Sequence, residues 1–126
     1  MSLQARVRNA DFLSRCMSAA QAAQLIEHGA TLGLSGFTGA GYPKALPQAI
    51  AERARAEHAA GRPFQVNVWT GASTAPEVDG ALAQAGAMAQ RLPFNSDAST
   101  RQQINAGTID YIDMHLSHVA QHAWFG

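Results

Sequence analysis

The junction "GLSGFTGAGYPKALPQAIAERA", Gly33 to Ala54, concentrates the chain's most unusual chemistry. Gly33, Gly36, Gly39 and Gly41 fall within nine residues, and Pro43 and Pro47 follow them. Glycine admits positive φ and close approach of backbone to a ligand, while proline restricts the exit into a helix. A plain connection runs about two to six residues and needs no such density. The spacing Gly36-x-x-Gly39-x-Gly41 reverses the dinucleotide fingerprint, and Pro43 stands where a helix should begin donating N–H groups. Tyr42 and Pro43 also occupy the places where a phosphate-binding loop requires Lys and Ser/Thr. Two readings remain: a tight turn for packing helix on sheet, or backbone that approaches a ligand. Four glycines in nine residues favour the ligand.

Three further stretches could act. "GASTA", Gly71 to Ala75, approaches the nucleophile elbow G-x-S-x-G but lacks its last glycine. A triad of Ser73, His118 and Asp113 is rejected, because neighbouring side chains at one strand end diverge. A serine that caps the next helix or binds a ligand oxygen is the better reading. "HLSHVAQH" places His115, His118 and His122 on one face if it is helical, but supplies no Cys or carboxylate at zinc-ligand spacing. No metal is expected. Glu77 and Asp79 follow Pro76, where carboxylates favour a helix N-terminus, and a structural role is expected for both.

The elements that must position these residues follow from periodicity and punctuation. "SAAQAAQLIEHG" opens with the capping-box pair Ser18 and Gln21 and closes on Gly29, with Ala22, Leu25 and Ile26 as its apolar face. "ATLGLSGF" reads as a strand. "LPQAIAERARAEHAAG" reads as a helix with Ala49, Ile50 and Ala54 inward and Gly61 as its stop. "FQVNVWTG" alternates as a second strand. "PEVDGALAQAGAMA" and "SDASTRQQINAG" read as helices, "TIDYIDMHLS" as a third strand, and "HVAQHAWFG" ends the chain. Strand–helix alternation is the grammar of a parallel α/β sheet. Right-handed crossovers place all strand ends along one edge, and ligands bind beyond the carboxyl ends. Gly36, Gly39, Gly41, Ser73, His115, Ser117 and His118 should therefore share one crevice.

Composition bounds the function. The 126 residues are 47% hydrophobic and 14% charged, with nine basic and nine acidic side chains and zero net charge, which suits a single domain. No basic block exists to track a phosphate backbone, so nucleic acid is not an expected partner. No run approaches the roughly 20 apolar residues of a membrane span, and the stretch "MSLQARVRNADFLSRC" lacks a signal-peptide apolar core. The single cysteine, Cys16, excludes an intrachain disulfide and points to a reducing, cytoplasmic setting.

Taken together, "SGFTGAGYPKALPQAIAERA", "WTGASTAPEVDGALA" and "IDYIDMHLSHVAQHAWFG" resemble the acetyl-CoA hydrolase/transferase family, whose well-understood members are class I CoA-transferases of the succinyl-CoA:acetate type. The resemblance runs from about Ser18 to Gly126. It implies a three-layer α/β domain of the kind shared with ribose-5-phosphate isomerase, here incomplete and occupying 1–126. It implies exchange of coenzyme A, as substrate and with no cofactor, between an acyl-CoA and a small carboxylic acid. A glutamate attacks the acyl-CoA, and acyl-glutamyl anhydride and glutamyl-CoA intermediates follow; an ionised carboxylate needs no general base. The site must then supply positioning and oxyanion stabilisation. The resemblance assigns that work to Gly36, Phe37, Thr38, Gly39 and Gly41 of the first loop, Thr70, Gly71 and Ser73 of the second, and His115 and Ser117 of the third. Ser73 matches a family position that lines the carboxylate pocket.

No glutamate here matches the nucleophile's motif: Glu27, Glu52, Glu57 and Glu77 all fall in predicted helices or helix starts. The chain is therefore expected to be the N-terminal part of a longer enzyme, inactive alone, with its uncovered edge and Trp124 region drawing it into a homodimer. A free-standing acyl- or carboxylate-binding module, or a subunit completed by a second chain, is the alternative.

Overall fold

The computed structural model of the chain describes residues 3–126. Helices α1 (Leu3–Arg6), α2 (Ala10–Ser14) and α3 (Ala19–Gln24) lead into β1 (Thr31–Gly33). Helix α4 (Ala45–Ala59), β2 (Val66–Trp69), a π-helical turn (Pro76–Gly80) and α5 (Ala81–Gln84) follow. Then come β3 (Met88–Leu92), α6 (Ala98–Asn105), β4 (Asp110–Tyr111) and α7 (Leu116–Phe125). The four strands pair in the order β1-β2-β3-β4, all parallel. The α/β class and parallel sheet are as expected.

Strands adjacent in chain order and linked by right-handed crossovers carry every connecting helix to the same face. Burial agrees. Val66, Val68 and Met88 are buried with Ile50, Ala51 and Ala54 of α4 and Leu82 of α5, whereas Thr31, Gly33 and Trp69 of the other face stay exposed. Of three expected layers, the described residues build the sheet and one helical layer.

The capping box of α3 forms as expected, with Ser18 Oγ accepting the Gln21 N–H and Gln21 Oε1 accepting the Ser18 N–H. Its buried residue is Ala23, however, while Leu25 is exposed and the helix stops at Gln24. The reason is an arginine from α4: Arg53 Nη1 donates to the carbonyls of Ala23 and Ile26 at 2.5 Å each and so closes the helix early. Arg53 also lies over the Phe64 ring at 4.3 Å. Ile50 and Ala54 are buried as expected, and Ala49 is half-buried.

The main departure is β3. The helix expected through Ala89 ends at Gln84, Gly86 takes φ 63°, and Met88–Leu92 forms the strand that joins β2 to β4. Sequence reasoning missed it because its core position is an arginine. Arg91 is fully buried, and its Nε donates to Asp79 Oδ1 at 2.7 Å while Nη2 donates to Oδ2 at 3.2 Å. Asp79 Oδ2 also accepts the Thr74 N–H at 3.0 Å and its hydroxyl at 2.6 Å. Thr100 of α6 donates to the Asp79 carbonyl at 3.2 Å. Asp79 thus lies in the first turn of the π-helical segment, as expected, and is in addition a buried ion-pair partner. The segment read as a long third strand contributes only Asp110–Tyr111, and α7 takes its end.

Removing one partner of a buried ion pair costs about 3–5 kcal/mol because the other charge is left uncompensated, out of a typical total of about 5–15. Asp79→Ala should therefore lower the urea-unfolding free energy by that amount or leave the chain unfolded. A midpoint within experimental error of the unsubstituted chain would contradict it.

Candidate active site

Four loops, one more than expected, meet beyond the carboxyl ends of the strands, because β3 brings a loop of its own. Backbone hydrogen bonds extend the sheet into them. Leu34 N–H donates to Trp69 O at 2.8 Å, Thr70 N–H to Leu92 O at 3.0 Å and Ile112 N–H to Arg91 O at 3.0 Å. Farther out, Thr38 N–H donates to Ala72 O at 3.1 Å and Ser73 N–H to Phe94 O at 2.8 Å.

This lacing explains two glycines. A Cβ on Gly71 would collide with the backbone carbonyl oxygen of Gly36. One on Gly36, at φ 140°, would lie 2.8 Å from Tyr42 Cβ and 2.9 Å from Thr74 Cγ2. Both pack loop on loop. Gly39 and Gly41 have open space around a Cβ but take φ 82° and 70°, so their requirement is conformational. Ser35 Oγ donates to the Gly41 carbonyl at 2.7 Å.

Two residues with side chains, Thr38 and Ser73, also adopt positive φ, at 47° and 63°. Such residues persist only where the surroundings over-determine them. The Asp79 carboxylate, which clamps Thr74 by N–H and hydroxyl, does so for Ser73. Thr38 and Ser73 both line a cleft of about 570 Å³ with Gly39, Ala72, Phe94 and Ser96. Phe37 and Ala72 connect this cleft to a second of about 700 Å³, lined by Thr70, Gly71, Leu92, Asp113, His115 and Val119. A third space of about 500 Å³ separates Trp69 and Leu92 from Val119 and His122 of α7.

Seven of the ten residues singled out from sequence thus line the two joined clefts: Phe37, Thr38, Gly39, Thr70, Gly71, Ser73 and His115. Gly36 and Gly41 belong to the first loop and line neither cleft. Ser117 lies at the start of α7, where its hydroxyl is 2.7 Å from His115 Nδ1, and lines neither cleft. The rings of His115 and His118 stand edge to face at 6.1 Å. Missed by sequence reasoning was the β3–α6 loop, whose Ser96 Oγ lies 2.8 Å from Ser73 Oγ. Recognising β3 was the only signal that could have found it.

Among the described residues, the N–H groups of Gly39 and Ala72 make no hydrogen bond. Both residues line the first cleft. No glutamate lines either cleft. Glu77, which lies in the π-helical turn, accepts the Tyr42 hydroxyl at 3.0 Å and pairs with Lys44 at 3.6 Å. Glu52 and Glu57 lie in α4, and Glu27 lies in the turn after α3 rather than in a helix.

Residues 1–126 match the acetyl-CoA hydrolase/transferase N-terminal domain. The chain belongs to the acetyl-CoA hydrolase/transferase family. It is 44% identical over 110 residues to the propanoyl-CoA:succinate CoA transferase of Escherichia coli, covering 87% of this chain and 22% of that one. It is 40% identical to the succinyl-CoA:acetate CoA-transferase of Clostridium kluyveri over 93% of this chain and 21% of the relative. With the acetyl-CoA hydrolase of Saccharomyces cerevisiae the identity is 34%, over 98% of this chain and 23% of the relative. The chain thus spans about a fifth of the length of the relatives it matches. Both transferase and hydrolase relatives share the family's first-domain sequence with it.

The two kinds of glycine should separate by substitution. Gly39→Ala should cost about 1–2 kcal/mol, the penalty of a Cβ at left-handed φ. Gly71→Ala, at a φ open to any residue, should instead part the first two loops, shifting the amides of Gly36 and Thr38 in NMR spectra. Equal, purely local effects of the two changes would contradict the close-approach account.

The Glu77 carboxyl is held below the ordinary carboxylate range, first by its own backbone N–H, then by the Tyr42 hydroxyl, with a smaller attraction from Lys44. A depressed folded-state value stabilises the fold above the ordinary value and loses that contribution as pH falls through the lowered one. The melting-temperature deficit of Tyr42→Phe should therefore be present at neutral pH and shrink in acid. A deficit that grows as pH falls would contradict the Tyr42–Glu77 contact.

Proposed function

We propose that this domain supplies the substrate-positioning loops of an enzyme that transfers coenzyme A between an acyl-CoA and a small carboxylic acid, or hydrolyses acetyl-CoA. The observation that carries the reading is the first cleft: strained Thr38 and Ser73, unpaired N–H groups on Gly39 and Ala72, and no acidic side chain in its lining. Such a surface suits the developing oxyanion of acyl transfer, which preorganised N–H donors stabilise without reorganisation. The neighbouring cleft, with Phe37, Leu92 and Val119 in its wall, suits an apolar acyl chain. The family's glutamate nucleophile would come from outside these residues, and the loops here would hold acyl and carboxylate groups in line for it.

We also propose a cytoplasmic homodimer. Cys16 is an exposed free thiol, which suits a reducing compartment. Among the described residues no helix is long and apolar enough to cross a membrane. Helix α7 buries none of its side chains, and Leu116, Trp124 and Phe125 are each at least 78% exposed. Apolar surface of that extent favours association.

A chimera tests the activity. This chain would replace the aligned segment of the Escherichia coli transferase, and propanoyl-CoA:succinate exchange would be assayed. Activity well above that of the relative lacking the segment is expected, whereas the 126-residue chain alone should show no turnover. A folded but inert chimera, or turnover by the isolated chain, would overturn the assignment. Sedimentation of the chain at micromolar concentration should give a dimer; a monomer there would remove the dimer proposal.

A further inference from the structure

Where the loops after β2 and β3 meet, a buried serine stands behind an exposed one. Ser73 is 7% exposed, and its Oγ accepts the Ser96 N–H at 3.1 Å. Ser96 is exposed and lines the first cleft. The two hydroxyl oxygens are 2.8 Å apart, within the ordinary range for O–H···O. A hydroxyl has one proton and two lone pairs. Ser73, with one lone pair filled by the Ser96 N–H, has two outlets for its proton: Ser96 Oγ, or the Thr74 carbonyl at 3.2 Å.

The two outlets give the pair two arrangements. When Ser73 donates to Ser96, the Ser96 proton is released and can be donated into the cleft. When Ser96 donates to Ser73, the Ser73 proton turns to Thr74, and Ser96 presents only lone pairs. An anionic oxygen in the cleft selects the first arrangement. No acidic side chain lines the cleft; Asp97, next to Ser96, accepts the Thr100 N–H and hydroxyl as the cap of α6, and Asp79, buried behind Thr74, is neutralised by Arg91.

We infer that Ser96 is the side chain that donates its hydroxyl proton to a ligand carboxylate or acyl oxygen in this cleft, and that Ser73 is a positioning residue that orients it. This rests on the reading of the cleft as an acyl or carboxylate site, and it replaces direct contact by Ser73 with a relay. The role of each hydroxyl is distinct. Ser73 fixes the backbone of the β3–α6 loop through the Ser96 N–H and sets the Ser96 rotor, while Ser96 meets the ligand.

The test is an NMR titration of the 126-residue chain with sodium acetate at constant ionic strength, with sodium chloride as control. Saturable shifts are expected at the amides of Ser96, Ser73 and Gly39. Ser96→Ala should weaken acetate binding about tenfold or more, the scale of one hydrogen bond to a charged group, without changing the melting temperature. Ser96→Thr, which keeps the hydroxyl, should restore the affinity. Ser73→Ala should weaken binding and also lower the melting temperature, because the Ser96 N–H loses its acceptor. Unchanged acetate affinity in Ser96→Ala, shifts confined to the His115 side, or no saturable shift in the unsubstituted chain would each overturn the inference. The chimera assay decides the underlying reading separately. A chain that supports transfer yet binds acetate equally well without the Ser96 hydroxyl loses this inference and keeps that reading.

Discussion

The buried contact between Asp79 and Arg91 is the constraint on which the loop edge of the sheet depends. Neither side chain reaches water, so each must find all its partners inside the protein. The carboxylate meets this demand with two donors from Arg91 and two from Thr74. The remaining guanidinium nitrogen donates to the Leu92 carbonyl. One ion pair thus joins β3, the π-helical turn and the loop after β2. Thr74 clamped in this way leaves Ser73 little choice but its left-handed conformation.

A second constraint is backbone proximity. The first two loops come so close that Gly36 and Gly71 leave no room for a Cβ at either position. The loops therefore behave as one layer rather than as independent flexible connections, with Thr38 N–H bonded to Ala72 O and Ser73 N–H to Phe94 O. Rigidity of this kind is what transition-state stabilisation by backbone donors requires, since donors that must reorganise during reaction lose their advantage. The glycine density serves the packing of these loops on one another.

The one-sided arrangement of helices has a related consequence. Crossovers of one hand between successive neighbours leave Thr31, Gly33 and Trp69 exposed on the opposite face. Helix α7 stands off the sheet's carboxyl end across an open space instead of packing against it. The chain spans about a fifth of the length of the transferases it matches.

Local signals in the sequence determined the elements with strong punctuation: the Ser18–Gln21 capping box, helix α4 with its stop at Gly61, the alternating strand β2 and the glycine loop after β1. Those elements are readable because capping, periodicity and glycine conformation act over a few residues. Topology placed Gly39, Ser73 and His115 at the shared edge, and the family resemblance named Phe37, Thr38, Thr70 and Gly71 beside them. Only the tertiary structure decided that Met88–Leu92 is a strand, because burial of Arg91 depends on Asp79, twelve residues earlier, which no local pattern reveals. The early end of α3 likewise depends on Arg53, about thirty residues later. The 2.8 Å contact between the Ser73 and Ser96 hydroxyls is tertiary for the same reason: Ser96 lies on a loop that exists only once β3 has joined the sheet.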